Sequence, residues 1–237
     1  MSDWKAKRFW KVASVVPSEG GFAVELDGRP VKTPAKRPLQ VPTRAMADAI
    51  ALEWGAQEGT IKPQTMPVTK TANAAIDKVA VQHGEVAQML AAYGDSDLLC
   101  YRADAPEELV ARQAERWDPM LDWAAQDLGA RLLQRTGIMH IPHDGSAVAI
   151  LSDHTHALDP FDLAAFHDLV SLSGSLVLGF AAIRDAHPVT ELWDLSRLDE
   201  DWQIEQWGED EDATALAATK REAFLHAKRM IDLSRAD

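Results

Sequence analysis

The chain has 237 residues, of which 46% are hydrophobic, and a formal net charge of −13 at pH 7. This is enough for one large or two smaller globular domains, and no apolar run approaches the roughly 18 residues that a membrane span needs. The first residues lack the apolar core of a signal peptide, and Cys100 has no second cysteine to pair with. We therefore expect a cytoplasmic protein of a reducing compartment, without membrane insertion.

The charge is unevenly distributed along the sequence. Up to Arg44 there are nine basic and four acidic residues, a local balance of +5, so the rest of the chain must carry −18. Nucleic-acid binding requires a basic face, and this composition argues against a nucleic-acid partner. The acidic body is compatible with a basic protein partner, or it serves solubility alone.

The first sixty or so residues have the pattern of short strands and turns. Phe22, Val24 and Leu26 alternate with small or charged residues, as in a half-buried strand. Asp27-Gly28 then predicts a two-residue hairpin turn, because both positions tolerate positive φ. A helix is expected after Thr43, which is a suitable N-cap residue.

From Pro67 onward the hydrophobic pattern is helical. Pro119 is expected to kink a helix that ends near Gly129. Asp159-Pro160 predicts another helix start, and Pro188 one that runs to about Trp207. The predicted class is α+β. A small, mostly antiparallel β domain with a helix occupies residues 1–66, and a larger all-helical domain occupies residues 67–237.

The strongest indication of an enzyme is a group of possible metal ligands: His140, His143, Asp144, Asp153, His154 and His156. Neutral imidazoles and carboxylates bind zinc or iron. Their spacing, however, does not match the i, i+4 pair of a helical metal site, and Pro142 and Gly145 indicate loops. We expect a solvated, histidine-rich loop, and we keep a metal-dependent hydrolase using this region as the alternative function.

Other catalytic patterns are weaker. Cys100 lies between Leu99 and Tyr101, which favours a buried structural cysteine over a nucleophile. Asp95 and Asp97 are close enough for paired acid–base chemistry, but exposed loop carboxylates or helix caps explain them equally well. The sequence has no phosphate-binding loop and no dinucleotide fingerprint. We therefore expect no catalysis and no cofactor.

The tryptophans fall into two groups. Trp54, Trp117 and Trp123 lie on helical apolar stripes and are expected in the core. Trp193, Trp202 and Trp207 instead accompany a run of acids: Glu191, Asp194, Asp199, Glu200, Asp201 and Glu205. An ordinary amphipathic helix explains this pattern. A recognition surface explains it as well, because aromatic residues anchor a partner while carboxylates attract a basic one.

Three segments occur in a fixed order along the chain: TMPVTKTANAAID at 65–77, YGDSDLLCYRA at 93–103 and DWQIEQWGE at 201–209. Together they closely resemble the assembly chaperones of the F-type ATP synthase catalytic head, in the branch that binds the α subunit. The resemblance extends from Phe9 to about Gly208. Beyond Gly208 the sequence departs from the longer family members, so no role is assigned to the last helix.

The resemblance implies a chaperone that holds the unassembled α subunit until the β subunit replaces it. Trp54 is then expected at the junction of the two domains, with a structural role. The same role is expected of four residues of the first segment: Met66, Pro67, Asn73 and Asp77. We also expect a monomer when free, since a surface reserved for a client argues against a tight homodimer.

The resemblance further implies a functionally important acidic residue before the Trp-Gly motif. Glu191 is the best match, and Asp194 is the second choice. The predicted client-binding surface combines these two acids with their aromatic and acidic neighbours: Trp193, Trp202, Glu205 and Trp207.

Overall fold

The computed structural model describes residues 7–137, 142 and 145–236. They form two compact units, and each draws on separated segments of the chain. Unit one takes its described residues from 1–83, 159–165 and 229–237, and unit two takes them from 84–158 and 166–228. The sequence instead predicts two domains that are each one continuous segment, residues 1–66 and 67–237. That boundary stays a prediction.

Unit one contains a small antiparallel sheet. Its described strands are β1 (Ala13–Ser18), β2 (Gly21–Leu26), β3 (Arg29–Pro30) and β4 (Gln40–Val41). Strand β2 is central and pairs antiparallel with each of the other three. Asp27 and Gly28 have φ values of 49° and 77°, so the predicted two-residue turn between β2 and β3 is confirmed.

Helix α1 (Arg44–Gly55) packs against β1 and β2 of this sheet. It begins where the sequence predicts, because the Thr43 hydroxyl accepts the backbone N–H of Met46 at 3.1 Å. The Met46 and Ile50 side chains of α1 are fully buried. Helix α2 (Pro67–Ala74) follows and continues into a π-helical turn at Ala75–Val79.

The remainder of the described chain is mostly helical. Its helices are α3 (His83–Ala91), α4 (Glu107–Trp123), α5 (Gly145–His156), α6 (Pro160–Ser173), α7 (Leu176–Ile183), α8 (Val189–Ser196), α9 (Leu198–Trp207) and α10 (Glu211–Arg235). Two short strands, β5 (Tyr101–Arg102) and β6 (Arg135–Thr136), pair in parallel. The predicted α+β class is confirmed. Among the described residues, no helix combines the length and the hydrophobicity that crossing a bilayer requires.

Local sequence rules predict the ends of some helices and miss others. Gly129, at φ 76°, closes the π-helical turn that follows α4, as expected. Pro119 lies inside α4, and the kink expected there stays a prediction. The single helix predicted from Pro188 to Trp207 is wrong. The chain breaks at Arg197 into α8 and α9, because Arg197 leaves the regular helical conformation at ψ 3°.

Helix α7 belongs to the core of unit two, since all eight of its residues are buried. The first N–H groups of a helix need acceptors from outside it. The Ser175 hydroxyl accepts from Leu178 at 3.0 Å, and the Asp97 carboxylate accepts from Val177 at 3.1 Å. Asp97 also accepts from the N–H of Leu99, which ties the 93–103 segment to α7.

Gly179 allows α6 and α7 to approach each other closely. A Cβ atom at this position would lie 2.7 Å from Cε2 of Phe166 and 2.9 Å from Cγ2 of Val170. Because both neighbours are core residues, we expect Gly179→Ala to lower the free energy of unfolding by about 1 to 3 kcal/mol through overpacking. Denaturant titration measures this loss. The control is Gly84→Ala in α3, where a Cβ meets nothing within 4 Å; equal stability of the two variants would contradict the prediction.

Because the Asp97 carboxyl is buried, we expect the free energy of unfolding to depend on pH. Burial raises its pKa from 3.8 to about 6, although hydrogen bonds from Ser175, Val177, Leu99 and Leu176 oppose the rise. Because the pKa is higher in the folded than in the unfolded chain, folding takes up a proton between about pH 4 and 6. The stability that this carboxyl contributes should fall by about 2 to 3 kcal/mol as pH rises through that window, and then level off.

Unfolding free energies of the unsubstituted chain and of Asp97→Asn, measured from pH 3.5 to 7.5, test this dependence. The advantage of the aspartate over the asparagine should shrink between pH 4 and 6. An advantage that grows with pH would show that the folded state prefers the ionised carboxylate.

Candidate functional site

The predicted client-binding residues lie on α8 and α9 in unit two. Helix α8 buries Leu192 and Leu195 and exposes Glu191 and Asp194 on its other side. Glu191 and Asp194 are three residues apart, so they share one helical face. The functional role predicted for these two acids stays a prediction, but their side chains are accessible.

Four carboxylates form an acidic cluster, which comprises Asp194, Glu200, Asp201 and Glu205. Partial burial raises the pKa of Asp201, and repulsion from the other three carboxylates raises it further, while the charge of Arg197 lowers it. Arg197 also donates to Glu200 at 2.8 Å. Four carboxylates thus exceed the two arginines that contact them, Arg197 and Arg112, and a basic partner group would relieve the repulsion.

Arg112 of α4 organises one end of this surface. Its guanidinium lies 4.6 Å from the centroid of the Trp202 ring and donates to Glu205 at 2.8 Å. That hydrogen bond lowers the pKa of Glu205 and raises the pKa of Arg112. Trp202 and Glu205 are thus held in place by the chain itself. The residue pattern of α9 could not reveal these contacts, because Arg112 is about ninety residues earlier in the sequence.

The tryptophans of this region differ sharply in exposure. Trp193 is 5% exposed and packs against Phe224, with ring centroids 5.6 Å apart. It belongs to the core of unit two, so we remove it from the client-binding surface. Trp207 is 79% exposed at the last position of α9. Trp207 is therefore the aromatic side chain of this group with the most area to offer a partner.

The residues assigned to a structural role lie in unit one. Met66 is buried and precedes Pro67, the first residue of α2. Asp77 holds the 33–37 turn: the Thr33 hydroxyl donates to it at 2.7 Å, and the Ala35 N–H does so at 2.9 Å. Burial alone would raise the pKa of Asp77, but these bonds and the charge of Arg37 bring it below the ordinary value.

Trp54 packs its ring edge-on against Trp10, with centroids 5.2 Å apart, and its backbone oxygen accepts from the Trp10 indole. Its neighbour Glu53, which the sequence did not single out, accepts the N–H groups of Val68 and Thr69 at 2.7 and 2.8 Å. Glu53 thereby caps α2. The structural role expected of Trp54 and of the 65–77 segment is consistent with these contacts, while its place at a domain junction stays a prediction.

The possible metal ligands do not form a site within the described residues. His140, His143 and Asp144 lie outside them. The expected loop around His154 and His156 is wrong, because both belong to α5. His154 Nε2 lies 3.1 Å from the Leu128 oxygen, and His156 Nδ1 lies 2.9 Å from the Ser152 oxygen. In the part of the chain that is described, no group of three histidine, cysteine, aspartate or glutamate side chains has an arrangement that could hold a metal ion.

The other candidates for chemistry have structural roles. Cys100 is fully buried, as expected, and burial raises the pKa of its thiol, with the nearby Asp97 adding to the effect. A buried thiol of this kind is a poor nucleophile. Asp97 is buried rather than exposed, and its acceptor atoms bind backbone N–H groups. Of the explanations left open for it, the helix cap is therefore the right one.

Comparison with known proteins identifies the class of protein. The model of the ATP12 chaperone protein family matches residues 7–125. The mitochondrial protein atp12 of Schizosaccharomyces pombe is 27% identical over 219 residues, which cover 87% of this chain and 75% of that protein. This is the class of ATP synthase assembly chaperones that the three sequence segments predicted, and the prediction is confirmed.

Solved structures agree over nearly the whole length. A lysine-substituted mutant of Paracoccus denitrificans Atp12p is 50% identical, with a TM-score of 0.96 over 99% of this chain and 100% of that one. A protein of Agrobacterium tumefaciens is 43% identical, with a TM-score of 0.90 over 98% of this chain and 86% of that one. The chain belongs to the ATP12 chaperone family.

Trp54→Arg tests the structural role of this tryptophan. The substitution would leave a guanidinium against Trp10 in place of an aromatic contact, close to Arg8, which already donates to the Gly55 oxygen. We expect the free energy of unfolding to fall by about 2 to 4 kcal/mol, with a low soluble yield. Thermal melting measures the effect, and Trp54→Phe, which keeps a ring, is the milder control. A Trp54→Arg protein that melts like the unsubstituted chain would contradict this role.

Proposed function

We propose that this chaperone binds the unassembled α subunit of the F-type ATP synthase catalytic head and releases it to the β subunit. Membership of the ATP12 family supports a role in the assembly of that head. The α subunit as the client follows from the resemblance of the 65–77, 93–103 and 201–209 segments to the branch that binds it. An unassembled ring subunit exposes a large apolar interface that aggregates unless it is covered.

The accessible side chains of α8 and α9 form the client-binding surface in this proposal. It comprises Glu191, Asp194, Trp202, Glu205 and Trp207. The observation that carries the proposal is the exposed Trp207 at the end of the helix that also bears three of the four mutually repelling carboxylates. An exposed indole provides anchor area, and the carboxylates attract basic groups at the rim of a client interface.

We further propose that the chain acts by binding alone, without catalysis. The two side chains in the 93–103 segment with catalytic potential, Cys100 and Asp97, are buried and have structural roles. The metal-dependent hydrolase has no described contact in its favour. The cytoplasmic location and the monomeric state of the free chaperone stay predictions.

Glu191→Lys tests the surface. Glu191 is exposed, so the substitution should leave the melting temperature unchanged, while charge reversal should weaken the capture of the purified α subunit by about tenfold or more. Suppression of α-subunit aggregation, followed by light scattering, measures this. The matched control is Glu85→Lys, an equal charge change at an exposed site on α3.

Trp207→Ala distinguishes anchoring of the client by the exposed indole from its electrostatic attraction by the carboxylates. It should weaken capture at every salt concentration, whereas the defect of Glu191→Lys should diminish as salt screens the charges. Full suppression of aggregation by both variants would exclude this surface. If the unsubstituted chaperone captures the β subunit but not the α subunit, the proposed client itself is wrong.

A further inference from the structure

Helix α9 carries most of the proposed client-binding surface, yet it buries very little of itself. Of its ten residues, Leu198 alone is buried. A surface helix is normally held by an apolar stripe that packs against the core. The break at Arg197 also separates α9 from α8. Other contacts must therefore fix the direction in which α9 presents Trp202 and Trp207.

Helix α4 supplies one of these contacts through a buried amide. The Gln113 side chain is 1% exposed and is bonded at both ends. Its Oε1 accepts from the Ala103 N–H at 2.8 Å, and its Nε2 donates to the Asp199 carboxylate at 2.7 Å. Hydrogen bonds to carboxylates are among the stronger ones in proteins. Because Asp199 lies in the first turn of α9, Gln113 joins the end of the 93–103 segment to the start of that helix.

Arg112, the residue before Gln113, contacts the second half of α9 through Trp202 and Glu205. The two α4 residues thus contact α9 at positions 199, 202 and 205. Residues three apart are neighbours on a helix surface, so these contacts run along one side of α9. They attach to α4 a helix that apolar burial alone holds at a single residue.

We propose that Arg112 and Gln113 are positioning residues of the client-binding surface, which hold α9 against α4 so that Trp207 and the acidic cluster meet the client together. The inference rests on the proposed function, because it concerns how that surface is held. A buried amide of α4 then controls the affinity for a client that it does not touch. The 93–103 segment also contributes to capture, since Ala103 bonds the other end of Gln113.

Electrostatic attraction alone predicts the opposite effect at Arg112. Removal of this cation makes the surface more negative, so attraction by itself would tighten the capture of a basic client. Under the positioning proposal, Arg112→Gln weakens capture, because Trp202 and Glu205 lose their ordered arrangement and binding has to restore it. The sign of the change in affinity therefore distinguishes positioning from attraction.

The experiment compares Asp199→Ala, Asp199→Asn and Arg112→Gln in the full chain, with the purified α subunit as client. Both Asp199 variants lose the same charge, but an asparagine oxygen still accepts from Gln113, whereas alanine has no acceptor. We expect Asp199→Ala and Arg112→Gln each to weaken capture by about tenfold, and Asp199→Asn by less than about threefold. Arg116→Gln removes a cation from an exposed site one turn further along α4 and should change capture by less than about twofold.

Two further measurements separate positioning from a general loss of stability. Amides of a helix that is held less firmly exchange their hydrogens faster. The 202–207 amides should exchange at least about fivefold faster in Asp199→Ala than in the unsubstituted chain, and at an unchanged rate in Asp199→Asn, without any client present. Gly179→Ala, which overpacks α7 instead, should leave capture unchanged despite its lower stability.

Three results would overturn the positioning role while the proposed surface stands, with Trp207→Ala as the reference variant that weakens capture. The first is undiminished capture by both Asp199→Ala and Arg112→Gln. The second is an equal loss in Asp199→Ala and Asp199→Asn, which would show that the charge of Asp199 acts directly. The third is tighter capture by Arg112→Gln. If the unsubstituted chain does not capture the α subunit, the proposed function itself fails, and this inference fails with it.

Discussion

The buried carboxylate of Asp97 is the interaction on which the architecture of unit two depends. It accepts N–H groups from Leu99, in its own segment, and from Val177, at the start of α7. Without an acceptor there, the first turn of a completely buried helix would carry unpaired donors away from water. The raised pKa of Asp97 is the energetic consequence, since burial opposes the charge that makes it a strong acceptor. The distinctive 93–103 segment thus contributes structural contacts, because its Asp97 and Cys100 are buried and Asp97 accepts backbone N–H groups from two segments.

Features that depend on a few neighbouring residues could be predicted from the sequence. The Asp27-Gly28 turn needs two residues that tolerate positive φ, and the Thr43 cap needs one hydroxyl three residues before an N–H. The class of fold followed from the change of hydrophobic period after residue 67. The break at Arg197 and the helical state of His154 could not be predicted. The sequence around Arg197 contains no proline or glycine to mark a break, while Pro142 and Gly145 indicated a loop in the region of His154.

The candidate surface shows the same limit at the level of side chains. Periodicity placed Trp193, Trp202 and Trp207 together with acids, but it could not assign them to the two sides of their helices. Phe224 buries the first, Arg112 stacks on the second, and nothing described covers most of the third. The first two outcomes are each decided by a residue from another helix. A resemblance to a family supplies the function, whereas the contacts decide which of its residues can touch a partner.

These contacts also bear on how a chaperone can bind a client firmly and still release it. Arg112 holds Trp202 and Glu205 in place within the chain, so covering them in the proposed client complex would cost little side-chain entropy. Trp207 is exposed and must be ordered on binding, and Asp201 lies among like charges until a basic group approaches. A surface that is partly preorganised and partly strained by its own charge favours fast capture over extreme affinity. Under the proposed function, such a balance would allow the β subunit to displace this chaperone from the α subunit.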